Sequence, residues 1–301
     1  MTGRSYRARG EEVPLRDSEY ADDTAVIFDN RRDAVTETQS LIVHFNRFGT
    51  EIHTGVLEPR QSSKTELLFC AKALTLYQSR EDFDNADLSD IVLPNNRYIP
   101  IVNQFAYLGS IITTNGTDDL DVEMRIRKAG NAFGCLRKSI FSSCNIDYST
   151  KGKVYCSFIL PILLYGAECW CLTEKLLRLL SNFHHQCLRV MCHTNRFLAW
   201  QNRLSISDLC AKLSLKSMFS YISKKQLQWF GHVVRMSWDR LPRKMLTCWV
   251  RSKRPRGCPK FTYGRSIKKL LNKAGIDKSD WFVVASDRLR WREMINNISF
   301  S

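Results

Sequence analysis

The chain has no long apolar run. Its longest, FILPILLY at residues 158–165, holds 8 residues, against the ~20 a membrane-spanning helix needs, which excludes a helical membrane protein. The opening MTGRSYRARGEE is polar throughout and has no apolar segment of the secretory-signal kind. Among the 11 cysteines no Cys-x2-Cys pair occurs, and they are irregularly spaced over 301 residues, so a disulfide framework of the small secreted type is excluded and a reduced compartment is expected. No internal repeat occurs, which removes solenoid architectures. These absences predict a soluble intracellular protein, nuclear or cytoplasmic, with no membrane partner.

Acidic residues are scarce in one part of the chain only. Residues 1–130 hold 15 Lys and Arg against 21 Asp and Glu, a net of −6, whereas residues 131–301 hold 30 against 9, a net of +21. A surplus of that size exceeds what solubility requires. It predicts a basic part that faces a polyanion, because clustered Lys and Arg neutralise phosphates and release their counterions.

Apolar residues make up 44% of the chain, enough to bury a sizeable core, and the length suits about two domains of ~150 residues. Residues 13–29 read as strand, tight turn and strand, with the carboxylates of Asp22 and Asp23 at the tip. Val35, Leu41, Ile42, Phe45 and Phe48 fall near helical spacing over residues 32–48, and Gly49 is a stop signal. Residues 64–70 read as a returning strand, and short apolar runs at 91–93, 98–102 and 105–112 are separated by Pro94, Pro100 and Gly109. Beyond residue 113 the period changes. Val122, Ile126, Ala129, Phe133, Leu136 and Ile140 make an amphipathic stripe that Thr117 or Asp118 could cap. Further helices are predicted at 149–165, bent or broken at Pro161, at 173–192 with Thr173 as cap, and at 207–213, 215–236 and 279–298. Residues 238–269 carry 11 Lys and Arg against the single acid Asp239 and read as an extended basic connector.

Adjacent aspartates on a hairpin suit phosphoryl transfer, in which hard cations held by carboxylates clamp the attacking hydroxyl and the triphosphate. Tyr20-Ala21-Asp22-Asp23 alone is a weak signal, since Asp also favours turns for its own hydrogen bonding. Its context is specific. VPLRDSEYADDTAVIF, RFGTEIHTG, SSKTELLF, QFAYLGS, RIRKAGNAFGCLRKS, KGKVYCSFILPILLYGAECW, QLQWFGHVVRM, RLPRKML and KRPRGCPKFTYGRSIKK follow in order from Val13 to Lys269. Together they resemble consecutive blocks of non-LTR retrotransposon (LINE-type) reverse transcriptases, and the closing WFVVASDRLRWRE resembles that family's tail.

The resemblance implies an α+β fold. Residues 1–112 would be part of a polymerase palm, a short antiparallel sheet with a helix; 113–195 a helical thumb-like region; and 196–301 a basic, helical nucleic-acid-binding region. It implies that Asp22 is a catalytic metal ligand, that Asp23 is its less directly involved neighbour, and that Lys64 lies near the incoming nucleotide's phosphates. The implied cofactor is Mg2+ and the implied partners are RNA and DNA as template and primer. In this family another essential aspartate and the nucleotide-binding fingers precede the hairpin. Nineteen residues before Tyr20 are too few to hold them, so the expectation is a truncated polymerase, inactive alone, that could pair with a missing N-terminal half. The alternative is a non-catalytic nucleic-acid-binding protein of retroelement origin.

Spacing separates the other clusters. Cys169, Cys171, His184, His185, Cys187, Cys192 and His193 are the right types for zinc, but residues 184–193 fall in an apolar-periodic helix where Cys packs as a small hydrophobe. His232, in WFGHVVRM, reads as a packing histidine. Helices at 207–213 and 215–236 can be set out as a helix-turn-helix, a pattern that any two short helices give. In the basic stretch Trp238, Trp249, Phe261 and Tyr263 are interleaved with Arg251, Lys253, Arg254, Arg256, Lys260, Lys268 and Lys269. That mix can track a phosphate backbone and offer stacking faces, and KRPRGCPKF also has the look of a nuclear-localisation cluster.

Overall fold

The computed structural model describes residues 17–20, 23–28, 30–70, 89–247, 262–276 and 280–297. They fall into two compact units that divide between Thr117 and Asp118.

The N-terminal unit opens with a hairpin of β1 (Asp17–Tyr20) and β2 (Asp23–Val26), in register Tyr20 to Asp23. Helix α1 (Arg31–Arg47) follows, where the spacing predicts one. The Asn30 side chain caps it by accepting from the Asp33 amide at 2.9 Å, and Gly49 at φ +71° lets the chain leave. Val35 and Ile42 of α1, seven residues apart and so on one face, pack with Leu67 on the small core of Ile91, Leu93 and Ile99.

That core belongs to an antiparallel sheet ordered β3 (Gly55–Val56), β6 (Arg97–Ile99), β5 (Ile91–Leu93). Asn95 and Asn96 turn the chain between β5 and β6 at φ 61° and 58°, a conformation Asn tolerates well. Of the strand expected over 64–70 only β4 (Leu67–Leu68) forms, paired in parallel with β7 (Ile101–Val102). The Ser63 hydroxyl donates to the Thr65 carbonyl at 2.6 Å and accepts from the Thr65 amide at 3.1 Å. Side-chain bonding of that kind competes with a ladder. β8 (Gln104–Tyr107) and β9 (Ser110–Thr113) form a second hairpin over Leu108 and Gly109, both at positive φ, as tight two-residue turns require.

The C-terminal unit is helical. Helix α2 (Asp119–Leu136) buries Val122, Ala129 and Phe133 of the expected stripe and widens into a π-helical turn at Arg137–Phe141. Asp118 occupies the cap position without capping; its carboxylate accepts from the Cys171 amide at 2.7 Å instead. The helix expected over 149–165 is α3 (Tyr148–Val154), a π turn (Tyr155–Ile159) and α4 (Leu160–Leu163). The widened turn lies just before Pro161, which has no amide to donate. Helix α5 (Glu174–Met191) has Thr173 as its cap, as expected. Then come α6 (Arg196–Gln201), α7 (Ile206–Lys212), α8 (Met218–Val234), α9 (Leu241–Thr247), α10 (Tyr263–Lys273), α11 (Trp281–Ser286) and α12 (Arg288–Asn297).

One core runs from Val122 to Ile222 and continues across residue 195; a second runs from Leu227 to Ile295. Helix α8 feeds both, with Met218 and Ile222 in the first and Leu227, Phe230 and Val234 in the second. Trp291 of α12 lies directly on Gly231 and donates its indole N–H to the Leu227 carbonyl at 3.0 Å. The single helix expected over 279–298 is broken at Asp287, whose carboxylate accepts from the amides of Leu289 and Arg290 and so starts α12. Among the described residues no helix is long and apolar enough to cross a membrane.

Candidate nucleic-acid interface and carboxylate hairpin

In the β1–β2 register Tyr20 is paired with Asp23, which opens β2. Asp22 itself lies outside the described residues. Asp23 is exposed, and so is Tyr20 across the hairpin. Lys64, also exposed, sits just before β4, and its amide donates to His53 Nδ1 at 3.2 Å. No hydrogen bond or ion pair joins Asp23 to Lys64. Among the described residues no three His, Cys, Asp or Glu side chains come together as a metal-holding group. Since Mg2+ chemistry at a polymerase needs several convergent oxygens, the described carboxylates do not make up a two-metal site.

In the helical unit the stretch 238–269, expected to be an extended connector, contains helix α9 and most of α10. Arg251, Lys253, Arg254, Arg256 and Lys260, with Trp249 and Phe261, lie outside the described residues. Lys268 and Lys269 are described, and α10 explains their placement. Ile267, Leu270 and Leu271 are buried, so Arg265, Lys268, Lys269 and Lys273 all fall on the exposed side. The Thr262 hydroxyl starts the helix by accepting from the Arg265 amide at 3.3 Å. Cation density hid this amphipathic period. Lys273 Nζ stands 4.6 Å from the Phe219 ring centre, and on α12 the side chains of Arg288, Arg290 and Arg292 are exposed.

The aromatics of this region divide. Trp238 is half exposed, with the Arg243 guanidinium 4.5 Å from its ring centre, while Tyr263 is partly buried, and burial pushes its phenol up. His232 is a correction. It is exposed on α8, one turn from Trp229 with ring centres 5.5 Å apart, rather than packed. The buried positions of α8 that flank it are Gly231, Val233 and Val234, so the apolar neighbours in sequence point elsewhere. His232 and Trp229 line a shallow hollow of about 270 Å³ with Glu168, Lys225 and Gln228, and those last three also line an adjoining hollow of about 460 Å³. Lys225 is committed there, donating to the Leu164 carbonyl at 2.8 Å and standing 3.7 Å from the Glu168 carboxylate.

The Cys and His cluster is dispersed: Cys187 and Cys192 pack in the first core and His184 is buried, while Cys169 and His193 are exposed. His184 is fully buried between the Tyr155 hydroxyl, 2.9 Å from Nδ1, and the Lys216 carbonyl, 3.1 Å from Nε2. Burial pushes its pKa down to about 4 and the buried Cys187 thiol up to about 12. His193 takes a bond from the buried Lys151 ammonium at 2.9 Å, and Cys169 is exposed. Sequence reasoning missed both the Lys151–His193 pair and a patch of exposed rings on α6, Phe197 and Trp200.

No protein-family profile matches the chain, and no solved structure matches it. A relative from Caenorhabditis elegans, described as an uncharacterised transposon-derived protein, is 23% identical over 289 residues, which span 93% of this chain and 95% of the relative. The likeness points to a transposon origin.

Proposed function

We propose that this chain derives from a retrotransposon-encoded, RNA-directed DNA polymerase, and that binding of a polynucleotide by the helical unit is the function it carries. The observation that carries the reading is the α10 face, where Arg265, Lys268, Lys269 and Lys273 are all exposed opposite a packed apolar face. Cations fixed along one helix side present charge at intervals a phosphate backbone can use. The transposon-derived relative and the β1–β2 hairpin, with Tyr20 paired to Asp23, support the polymerase ancestry. By this reading Asp22 and Asp23 are the remnant of the metal site and Lys64 of the triphosphate contact. Mg2+ would supply charge neutralisation at the transferring phosphoryl group. The reading assigns the chain no polymerisation step of its own.

Binding of a single-stranded oligonucleotide by the full chain, measured by anisotropy over a salt series, tests it. Affinity should fall steeply with salt, and Lys268→Ala with Lys269→Ala should flatten the log–log slope by about 1.4, near 0.7 for each phosphate contact on a single strand. Asp22→Ala should leave binding unchanged, and no variant should extend a primer with Mg2+. Salt-independent affinity would defeat the binding reading, and primer extension abolished by Asp22→Ala would show that the chain is itself a polymerase.

A further inference from the structure

We propose that helix α6 is a stacking platform for the bases of a single-stranded polynucleotide, formed by Phe197 and Trp200 and flanked by Arg196 and Arg203; the proposal rests on the nucleic-acid reading above. Helix α6 has only six residues, Arg196–Gln201, and just one of them, Ala199, is buried. A helix so short is not stable by itself. This one is fixed at both ends. The Asn195 side chain accepts from the Leu198 amide at 2.8 Å, and after the turn at Arg203, φ 50°, the Leu204 amide returns to the Ala199 carbonyl at 2.8 Å. The chain thus spends two caps on a helix whose large side chains face outward. Phe197 is 65% exposed and Trp200 76%, among the most exposed large apolar residues described. Rings three residues apart share a helix face, and here their centres are 6.2 Å apart with a 38° tilt. Large exposed rings held on a fixed element mark an interaction surface.

Charge selects the occupant. From Lys175 to Ser207 no Asp or Glu occurs, while Arg196, which precedes Phe197, and Arg203, three residues after Trp200, are exposed. The nearest acid downstream, Asp208, has its carboxylate engaged by the Ser205 amide at 2.8 Å and hydroxyl at 2.6 Å. A second copy of the chain meeting this surface by two-fold symmetry would set two arginine-bearing patches without a local acid against each other. A polynucleotide meets both features at once, with phosphates for the guanidiniums and unpaired bases for the rings. Stacking does not read the sugar, so RNA and DNA strands suit it equally.

The test uses the full chain with three oligomers of equal length at fixed salt: oligo-dT, oligo-U and an abasic sugar-phosphate strand. Phe197→Ala with Trp200→Ala should weaken oligo-dT and oligo-U by at least roughly fivefold for each ring, leave the abasic strand unchanged and leave the salt slope intact. Phe197→Tyr with Trp200→Phe should bind like wild type. Because both rings are exposed, the alanine variant should keep its far-ultraviolet spectrum and melting temperature. Wild-type affinity in the alanine variant, or equal losses on all three oligomers, would overturn the platform while leaving the nucleic-acid reading standing. Failure of the wild-type chain to bind any oligomer would remove that reading itself. Conversion of a dimer to a monomer by the alanine variant, seen by sedimentation, would make the patch a contact between copies and overturn the proposal.

Discussion

Replacement of His184 should destabilise the helical unit by an amount that depends on pH, with a sign that burial dictates. The ring is fully buried, and its two nitrogens are held by the Tyr155 hydroxyl and the Lys216 carbonyl. Only a protonated Nε2 can bond to a carbonyl, so Nδ1 accepts from the tyrosine and the neutral ring is the bound form. Desolvation is the main cause that holds the pKa near 4 instead of 6.5; the Lys216 carbonyl opposes it and His185 adds to it. Unfolded chains take up this proton below about pH 6.5, folded ones only near pH 4. In that window the unfolded state binds more protons, so stability is lost as pH falls. The full interval corresponds to roughly 3.4 kcal/mol, of which about 2 kcal/mol is gone at pH 5. His184→Gln cannot titrate. At pH 7.5 it should cost about 2–4 kcal/mol, because the buried Tyr155 hydroxyl and the part-buried Lys216 carbonyl lose a well-placed bond. At pH 5 the gap between the variant and wild type should shrink by about 2 kcal/mol. Urea unfolding followed by tryptophan emission isolates the helical unit, since all 7 tryptophans lie beyond residue 117. A gap that stays constant within about 0.5 kcal/mol between the two pH values, far below the linkage expected, would refute the assignment of a buried neutral ring.

Two further substitutions probe packing in the same unit. Gly231→Ala drives a methyl into the Trp291 indole, which has no room to move because it is buried and bonded to the Leu227 carbonyl. A loss of about 1–3 kcal/mol should appear as a lower urea midpoint with unchanged slope. Gly264→Ala on the exposed side of α10 meets nothing within 4 Å and should instead stabilise by up to about 1 kcal/mol. Asp121→Ala should cost about 3–5 kcal/mol in the same assay, because it strips a buried acceptor from the Trp170 indole, 2.9 Å away, and leaves the buried Arg125 guanidinium without its carboxylate, now 3.8 Å away.

Elements whose sequence period and terminal signals agree were legible without coordinates. Helix α1 has its stripe and Gly49, α5 has its stripe and Thr173, and the hairpin at 17–26 has an acidic turn signal followed by the β-branched and aromatic run from Thr24 to Phe28. Features that depend on distant partners were not. The β4–β7 pair joins residues 34 apart, and nothing in Leu67–Leu68 names Ile101–Val102 as its partner. The π turn at Tyr155–Ile159 has a local cause in Pro161, but proline signals a break without saying whether the backbone bends or widens. His232 shows the limit most plainly. Its sequence neighbours are apolar, yet a helix sends consecutive residues 100° apart, so Val233 and Val234 are buried while His232 is exposed. The rings of α6 were hidden for the converse reason, since Phe197, Leu198 and Trp200 look like core residues, and only the burial of Ala199 shows which way the helix faces.

Charge was legible as a total but not as a surface. The +21 of residues 131–301 counts Lys151 and Arg243 as though both could reach a phosphate. Lys151 is 1% exposed and donates to the Met191 carbonyl and to His193. Arg243 is 2% exposed and stacked between Trp238 and Phe282. A buried cation held by carbonyls or ring faces has exchanged its hydration for those partners and cannot release a counterion on binding. Among the described residues, the outer side of α10, the arginines of α12 and the pair on either side of the α6 rings are exposed tracks that can meet a polyanion. Counterion release counts contacts, not formal charge, so the salt slope of the full chain should be set by the cations that reach a phosphate and fall short of what +21 suggests.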